Sequence, residues 1–323
     1  MQLIERKEIP CLRWLSEVTK LDERLLGSVL QARRSGEVLY SKVYIPKSSG
    51  GVRTISIPDP FLRKVQRAIN KNVLSDFTVS HYASGFSGGS IVDVIKPHLK
   101  SRVMLSLDIV EAFDHVTYEV VLNSLTCGRV VRHMEKGIEL DSYGLLSWRA
   151  ARVVTDLCTW CGKLPQGAPT SPRLFDQSFM WTDEKLEAFA SRIGGVYTRY
   201  ADNIYFSLKR GNRFPPKLVR AVLRIVEKRH KYHKCSARNM KYGVVKMLGL
   251  NVAKGKINVP REYKRNLRLA VHHVGYLLDH NMPYENALLK LRGQMSFGSL
   301  GALPDSLLNT YANLEERIEE YEA

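Results

Sequence analysis

Two aspartates stand where a carboxylate is costly. Asp108 ends the apolar run RVMLSLDI (102–109), and Asp202 lies 94 residues later inside the aromatic, β-branched segment GVYTRYADNIYFSL (195–208). A carboxylate at the end of a buried strand needs a cation or hydrogen-bond donors to offset its desolvation. Two brought together would hold Mg²⁺ through hard oxygen ligands. A pair of such ions roughly 4 Å apart activates a 3′-hydroxyl and stabilises a departing pyrophosphate in an in-line displacement. Spacing alone does not join these two acids, since any two carboxylates can be so paired. A second cluster, Cys158-Thr159-Trp160-Cys161, has the spacing of half a zinc site or of a redox pair. A structural zinc site needs four ligands, and no second CxxC or HxxxH completes this one. Two cysteines in a strand is the plainer account.

Hydrophobic periodicity names the elements that must carry these residues. RVMLSLDI reads as a buried strand and 195–208 as a hairpin with Asp202 near its turn. Leu15, Val18, Leu21, Leu25, Val29 and Leu30 recur at helical spacing, predicting two short helices within 13–34. Alternating β-branched residues around Ser-Ser-Gly-Gly in 43–58 predict a hairpin with a flexible basic tip. Asp59-Pro60 opens a helix to about residue 75, striped by Leu62, Val65, Gln66, Ile69 and Val73. A helix near 117–125 follows the first acid, and 153–167 reads as strand, turn, strand. Thr170-Ser171-Pro172 starts a helix, with a capping hydroxyl and Pro at the first position, that is predicted to reach Ala190. Beyond Asp202 come a helix over 215–230 and a strand over 246–252.

From Pro260 the composition is helical. Tyr263, Leu267, Ala270, Val271 and Val274 form one stripe, with Lys264, Arg265, Arg268 and His272 largely opposite. The last helix, 306–322, sets Leu307, Tyr311, Leu314 and Ile318 against an acidic face of Glu315, Glu316, Glu319 and Glu320. That face is most simply solvated, a partner-protein docking site being the alternative.

Composition narrows the field. The 323 residues carry 49 Lys and Arg against 32 Asp and Glu, a net charge of +17 that points toward a polyanionic partner. No apolar run approaches the roughly 20 residues of a membrane span, and the N-terminal segment lacks the apolar core of a secretory signal. Five cysteines, few and odd in number, fit a reducing cytosol better than a disulfide scaffold.

Three strings around the acids occur in order: SLDIVEAFDHV (106–116), LPQGAPTSPRL (164–174) and YTRYADNIYFS (197–207). They resemble motifs A, B and C of reverse transcriptases of the bacterial retron and group II intron type. The likeness extends upstream to 45–58 and 85–99 and downstream to 249–273 and 291–297, nearly the whole chain. It implies an α+β right-hand polymerase fold: N-terminal helices and fingers over 1–100, a palm of antiparallel sheet and helices over 101–255, and a helical thumb over 256–323. Asp108 and Asp202 would be the catalytic metal ligands for two Mg²⁺ ions, with the Ile109 carbonyl completing one site. Phe113 would be a steric gate against a ribose 2′-OH, its bland alternative being a core aromatic. Gln166 and Gly167 would lie under the incoming dNTP, and Lys47 and Arg53 would grip its triphosphate. Lys241 and Arg238 are the candidate general acids, with Lys234 a third. Lys264, Arg265, Arg268 and His272 would follow the minor groove of an A-form template–primer duplex.

The chain also departs from the family pattern. Motif C ends in Asp202-Asn203 where two aspartates are usual, so Asn203, by the same resemblance a catalytic residue of the metal site, keeps an oxygen but loses a charge, which weakens metal affinity. Of the retron strings Asn-Ala-x-x-His and Val-Thr-Gly, only His98 and Gly249 remain. The implied activity is RNA-directed DNA synthesis on a structured non-coding RNA, yielding a retron-like RNA–DNA product (msDNA) in anti-phage defence. A separate effector protein goes with that reading, because the chain ends soon after the thumb, and a bacterial cytoplasmic location agrees with the cysteine usage. Three alternatives stand beside it: a defence-associated reverse transcriptase outside the retrons, an RNA-binding scaffold weakened by Asn203, and untemplated polymerisation.

Overall fold

Helices α1 (Ile9–Thr19) and α2 (Glu23–Ser35) open the chain where helical spacing predicts them. The Asp22 carboxylate accepts the Arg24 and Leu25 amides and so starts the second helix. The computed structural model describes residues 4, 6–46, 50–78, 80, 83–84, 89–127 and 146–322. An antiparallel ribbon of β1 (Tyr40–Pro46) and β2 (Val52–Pro58) follows, and α3 (Pro60–Asn72) begins at an Asp59 cap, burying the predicted Leu62, Val65, Gln66 and Ile69. After β3 (Ala83–Ser84) and α4 (Ile91–Ile95) comes the central strand β4 (Val103–Ile109), then α5 (Tyr118–Cys127), α6 (Trp148–Cys158), α7 (Ser171–Ser178) and α8 (Met180–Arg192). The acidic hairpin is β5 (Gly195–Tyr200) and β6 (Asn203–Leu208); α9 (Pro216–Glu227) returns the chain to β7 (Tyr232–Asn239). A small sheet of β8 (Val245–Met247), β9 (Leu250–Ala253) and β10 (Lys256–Asn258) leads to α10 (Arg261–Asp279), α11 (Glu285–Gly298) and α12 (Asp305–Glu322).

The main sheet runs β3-β5-β6-β4-β7, antiparallel except for β3 with β5. Alternation along β4 separates its two faces. Val103, Leu105, Leu107 and Ile109 join a core shared with α1–α3 and α5–α9, so residue 100 marks no break in packing. Met104 faces the other way, into a second core with Tyr205, Met240, Val245 and Leu250 under α4 and the small sheet. That cover extends over only one end of the face, and Ser106 and Asp108 beyond it are half-buried. The three C-terminal helices close on their own core of Leu267, Val271, Val274, Leu291 and Leu314. β10 pairs with β9, so the helical part begins at Arg261 and not at residue 256.

Four sequence expectations are corrected. Residues 148–158 form α6 where 153–167 read as strand, turn, strand: Arg149, Arg152 and Asp156 recur at helical spacing opposite the buried Ala150, Val153, Val154 and Leu157, a pattern that a window opening at Val153 cuts off. Cys158 is therefore at a helix end and Cys161 in an exposed turn, and among the described residues no group of three or more His, Cys, Asp and Glu could hold a metal. The helix from Ser171 breaks at Phe179, and neither hydroxyl at its start caps it: Thr170 makes no capping hydrogen bond and Ser171 Oγ donates to the Pro165 carbonyl. Residues 246–252 are two strands, because Leu248 and Gly249 both turn through positive φ.

Candidate active site

The open end of the sheet is built by register. Asp108 at the end of β4 pairs directly with Asn203 at the start of β6, and the Ile109 amide donates to the Asp202 carbonyl at 3.1 Å. Asp108 on β4 and Asp202 in the turn before β6 are therefore neighbours. Burial pushes the Asp202 carboxyl above its ordinary range, and the charge of Asp108 pushes it the same way. Arg53 on β2 pulls it back through its charge, so the ribbon delivers one predicted cation to the acids. The other, Lys47, lies outside the described residues. Asn203 Nδ2 donates to Asp202 Oδ1 at 3.0 Å, fixing the carboxylate's orientation without adding a charge.

Two half-buried carboxylates and nearby backbone carbonyls form a hard oxygen set. That set suits Mg²⁺, which keeps several waters and takes one or two protein carboxylates beside substrate phosphates. The carboxyl of Asp202, raised first by burial and then by the charge of Asp108, is the matching observation, for a desolvated carboxylate beside a second one is what a cation relieves.

Gln166 and Gly167 touch the ribbon itself. The Ser56 amide donates to the Gln166 carbonyl at 2.7 Å, tying β2 to the loop before α7. Gly167 has φ +118°, and a Cβ there would stand 2.6 Å from Ile55 Cγ2 and 2.9 Å from the Ser56 carbonyl. Only glycine meets both demands. Arg53 and Ile55 share one side of β2, the side whose Ile55 meets Gly167. Phe113 is half-buried with its ring 5.2 Å from that of Phe175, so it is a core aromatic with an edge still exposed.

Of the three basic candidates, register brings only Lys234 beside the acids. It sits directly opposite Asp108, at a β-bulge that skips one residue before Ile109 meets Tyr232. Arg238 pairs with Met104, four residues down the strand, about 13 Å away at strand rise. Lys241 lies past the end of β7 with its Nζ over the Tyr242 ring. On α10, Arg265, Arg268 and His272 are exposed along one face, Lys264 is half-buried, and Tyr263 is core, donating to the Gln294 carbonyl. Arg268 and His272 line a groove of about 660 Å³ between α10 and α12.

Sequence reasoning missed the group beneath Asp202. Arg199 on β5 is fully buried, bonded by Nε and Nη2 to both oxygens of Asp183 and by Nη1 to Asp176, each at 2.8–2.9 Å. Its ring neighbours are Phe175 and Phe179, and Tyr197 donates to Asp183. Burial would lower the guanidinium's pKa, but the charge and hydrogen bonds of Asp183, with Asp176, hold it above its ordinary value. Arg199 Nη1 also donates to the Ala201 carbonyl at 2.8 Å. Ala201 is in the left-handed region at φ 53°, so the buried guanidinium braces the turn that presents Asp202. The available signal was a lone Arg in an apolar strand. On the other face, His98, in the 3-10 turn after α4, bonds Ser207 Oγ at 2.6 Å and Thr198 Oγ1 at 2.7 Å, tying that turn to β5 and β6.

Residues 45–264 match the family described as reverse transcriptase (RNA-dependent DNA polymerase). The chain is 32% identical over 256 residues to the retron Mx162 reverse transcriptase of Myxococcus xanthus, covering 71% of this chain and 51% of that one. It is 34% identical over 181 residues to the retron Mx65 enzyme of the same organism, covering 52% and 40%. To the retron Ec86 reverse transcriptase of Escherichia coli it is 24% identical over 233 residues, covering 69% and 65%. The chain thus spans about half the length of these relatives. In fold it is similar to telomerase from Candida albicans, solved with a fragment of telomeric RNA, at TM-score 0.51, 15% identity and coverage of 96% and 58%.

Proposed function

We infer the function from one premise: the chain belongs to the reverse transcriptase (RNA-dependent DNA polymerase) family. On that basis it is an RNA-directed DNA polymerase of retron type, extending a primer with dNTPs on a structured non-coding RNA. The observation that carries this reading is the pairing of Asp108 with Asn203, which puts both carboxylates at the uncovered end of one sheet. When bound, two Mg²⁺ ions would supply Lewis-acid activation of the primer hydroxyl and of the departing pyrophosphate.

The chain's own residues do the rest. Asp108 and Asp202, with the Ile109 carbonyl, would hold the ions, while Asn203 orients Asp202. Arg53, together with Lys47, binds the triphosphate. Gln166 and Gly167 seat the nucleotide against the ribbon, and the exposed edge of Phe113 excludes a ribose 2′-OH. Lys234, exposed and opposite Asp108, donates the proton to pyrophosphate. The basic face of α10 follows the template–primer duplex. Similarity to retron enzymes supports an msDNA product, a role in anti-phage defence with a separate effector, and a bacterial cytoplasmic setting.

The test is the nucleic acid that co-purifies with wild type and with Asp108→Ala from cells carrying the native locus, split between DNase and RNase. DNA joined to RNA in wild type and absent from the variant is the expected result. RNA alone in both would refute constitutive synthesis and leave the RNA-binding scaffold.

A further inference from the structure

We propose that α9, with the start of α8, forms a second RNA-binding surface on the side of the main sheet opposite the catalytic acids. The proposal deepens the reading above, since it names where the structured RNA lies outside the catalytic cleft.

Helical geometry makes the surface. Lys217, Arg220, Arg224 and Lys228 follow one another at intervals of three, four and four residues, which aligns them in a single stripe. All four are exposed, and Val222 and Val226 on the opposite side of the helix are fully buried. At 1.5 Å per residue the stripe is about 16 Å long. None of the four makes an ion pair among the described residues.

Topology sets its direction. Val222 and Val226 join the same core as Leu105 and Leu107, whose side chains leave β4 on the face away from Asp108. The stripe therefore points away from any duplex lying over Asp108 and Asp202, and template–primer binding does not account for it. Its C-terminal end comes round to the catalytic edge, because the Val110 amide, two residues past Asp108, donates to the Lys231 carbonyl.

At that end three cations converge on one aromatic ring. Arg229, Lys228 and Lys185 stand 4.6, 5.8 and 5.9 Å from the centre of Trp181. Attraction to the ring offsets part of their mutual repulsion; a phosphate chain would relieve the remainder. A row of cations ending at a Trp matches RNA: regular anions along a backbone, with bases that stack.

The experiment uses the full chain and a fluorescently labelled RNA hairpin, with anisotropy titrations from 50 to 200 mM KCl. The variant is Lys217→Gln, Arg220→Gln, Arg224→Gln and Lys228→Gln together; its control exchanges each Lys for Arg and each Arg for Lys. Loss of four phosphate contacts should make the log–log salt slope less negative by about 3 and weaken binding at least about tenfold at the lower salt. The charge-preserving control should bind as wild type, and primer extension on a short template–primer should be unchanged in the neutral variant. An unaltered salt slope would overturn the proposal and assign the stripe to some other polyanion. Equal loss of hairpin binding and short-duplex extension would also overturn it, placing the effect in the cleft or the fold. If wild type extends no primer at all, the polymerase reading fails, while the salt slopes still decide the surface.

Discussion

Removing the guanidinium of Arg199 should both destabilise the protein and disable the site above it. Arg199→Met leaves two fully buried carboxylates, Asp176 and Asp183, without their cation. Breaking a buried pair from one side costs about 3–5 kcal/mol. At about 2.1 cal/mol/K per residue, a cooperative unit of this size loses roughly 1.5 °C per kcal/mol, so Tm should fall by about 4–7 °C. Burial without a cation favours the neutral carboxyl, whose stabilising protonation is lost as pH rises. The deficit should therefore be larger at pH 8 than at pH 5.5. Arg199→Met/Asp183→Asn, with one charge fewer, should recover part of it. The Ala201 carbonyl also loses its donor, and misplacing a catalytic group by about 1 Å can cost 10²-fold in rate. Primer extension well below both melting points should fall by about that factor, and Arg199→Lys, lacking the planar fork, should restore stability better than rate. A Tm within 1 °C of wild type, or a deficit independent of pH, would refute the reasoning.

Three further outcomes follow from the same geometry. Gly167→Ala places a Cβ 2.6 Å from Ile55 at φ +118°, a backbone strain of about 1–3 kcal/mol before the clash, and should raise KM for dNTP more than it lowers kcat; an unchanged KM would separate this glycine from nucleotide seating. Asn203→Asp exchanges a donor 3.0 Å from Asp202 for a like charge, forfeiting about 1.5–3 kcal/mol of hydrogen bonding. The difference in Tm between EDTA and Mg²⁺ should widen and activity at limiting Mg²⁺ rise several-fold, whereas identical differences in variant and wild type would count against metal at this position. Burial lowers His98 to about 3 from an unfolded value of 6.5, so the unfolded chain binds more protons between those values. Stability is then full above about pH 6.5 and falls on acidification by up to about 1.4 kcal/mol per pH unit. His98→Gln, able to bond Ser207 and Thr198, should flatten that slope in urea midpoints from pH 7.5 to 5; an unaltered slope would assign it to other groups such as His230.

What the sequence determined by itself was local. The strand ending at Asp108, the hairpin turning at Asp202, the Asp59 cap and the amphipathic α10 each announce themselves within a dozen residues, because one buried face imposes a period of 2 or 3.6. The same logic finds α6 only in a window that opens before Arg149, where Arg149, Arg152 and Asp156 mark the polar side, and it fails for the break at Phe179, where Phe175, Phe179 and Arg199 pack together. Tertiary structure alone decided the rest. Register at a bulge, not residue type, set Lys234 instead of Arg238 or Lys241 against Asp108. Packing across 16 and 23 residues of chain gave Arg199 its two carboxylates. The close approach of β2 explains why position 167 must be glycine. Periodicity reports which side of an element is buried; which elements share that burial is settled only when strands pair and helices dock, and at that level two separate aspartates become one site.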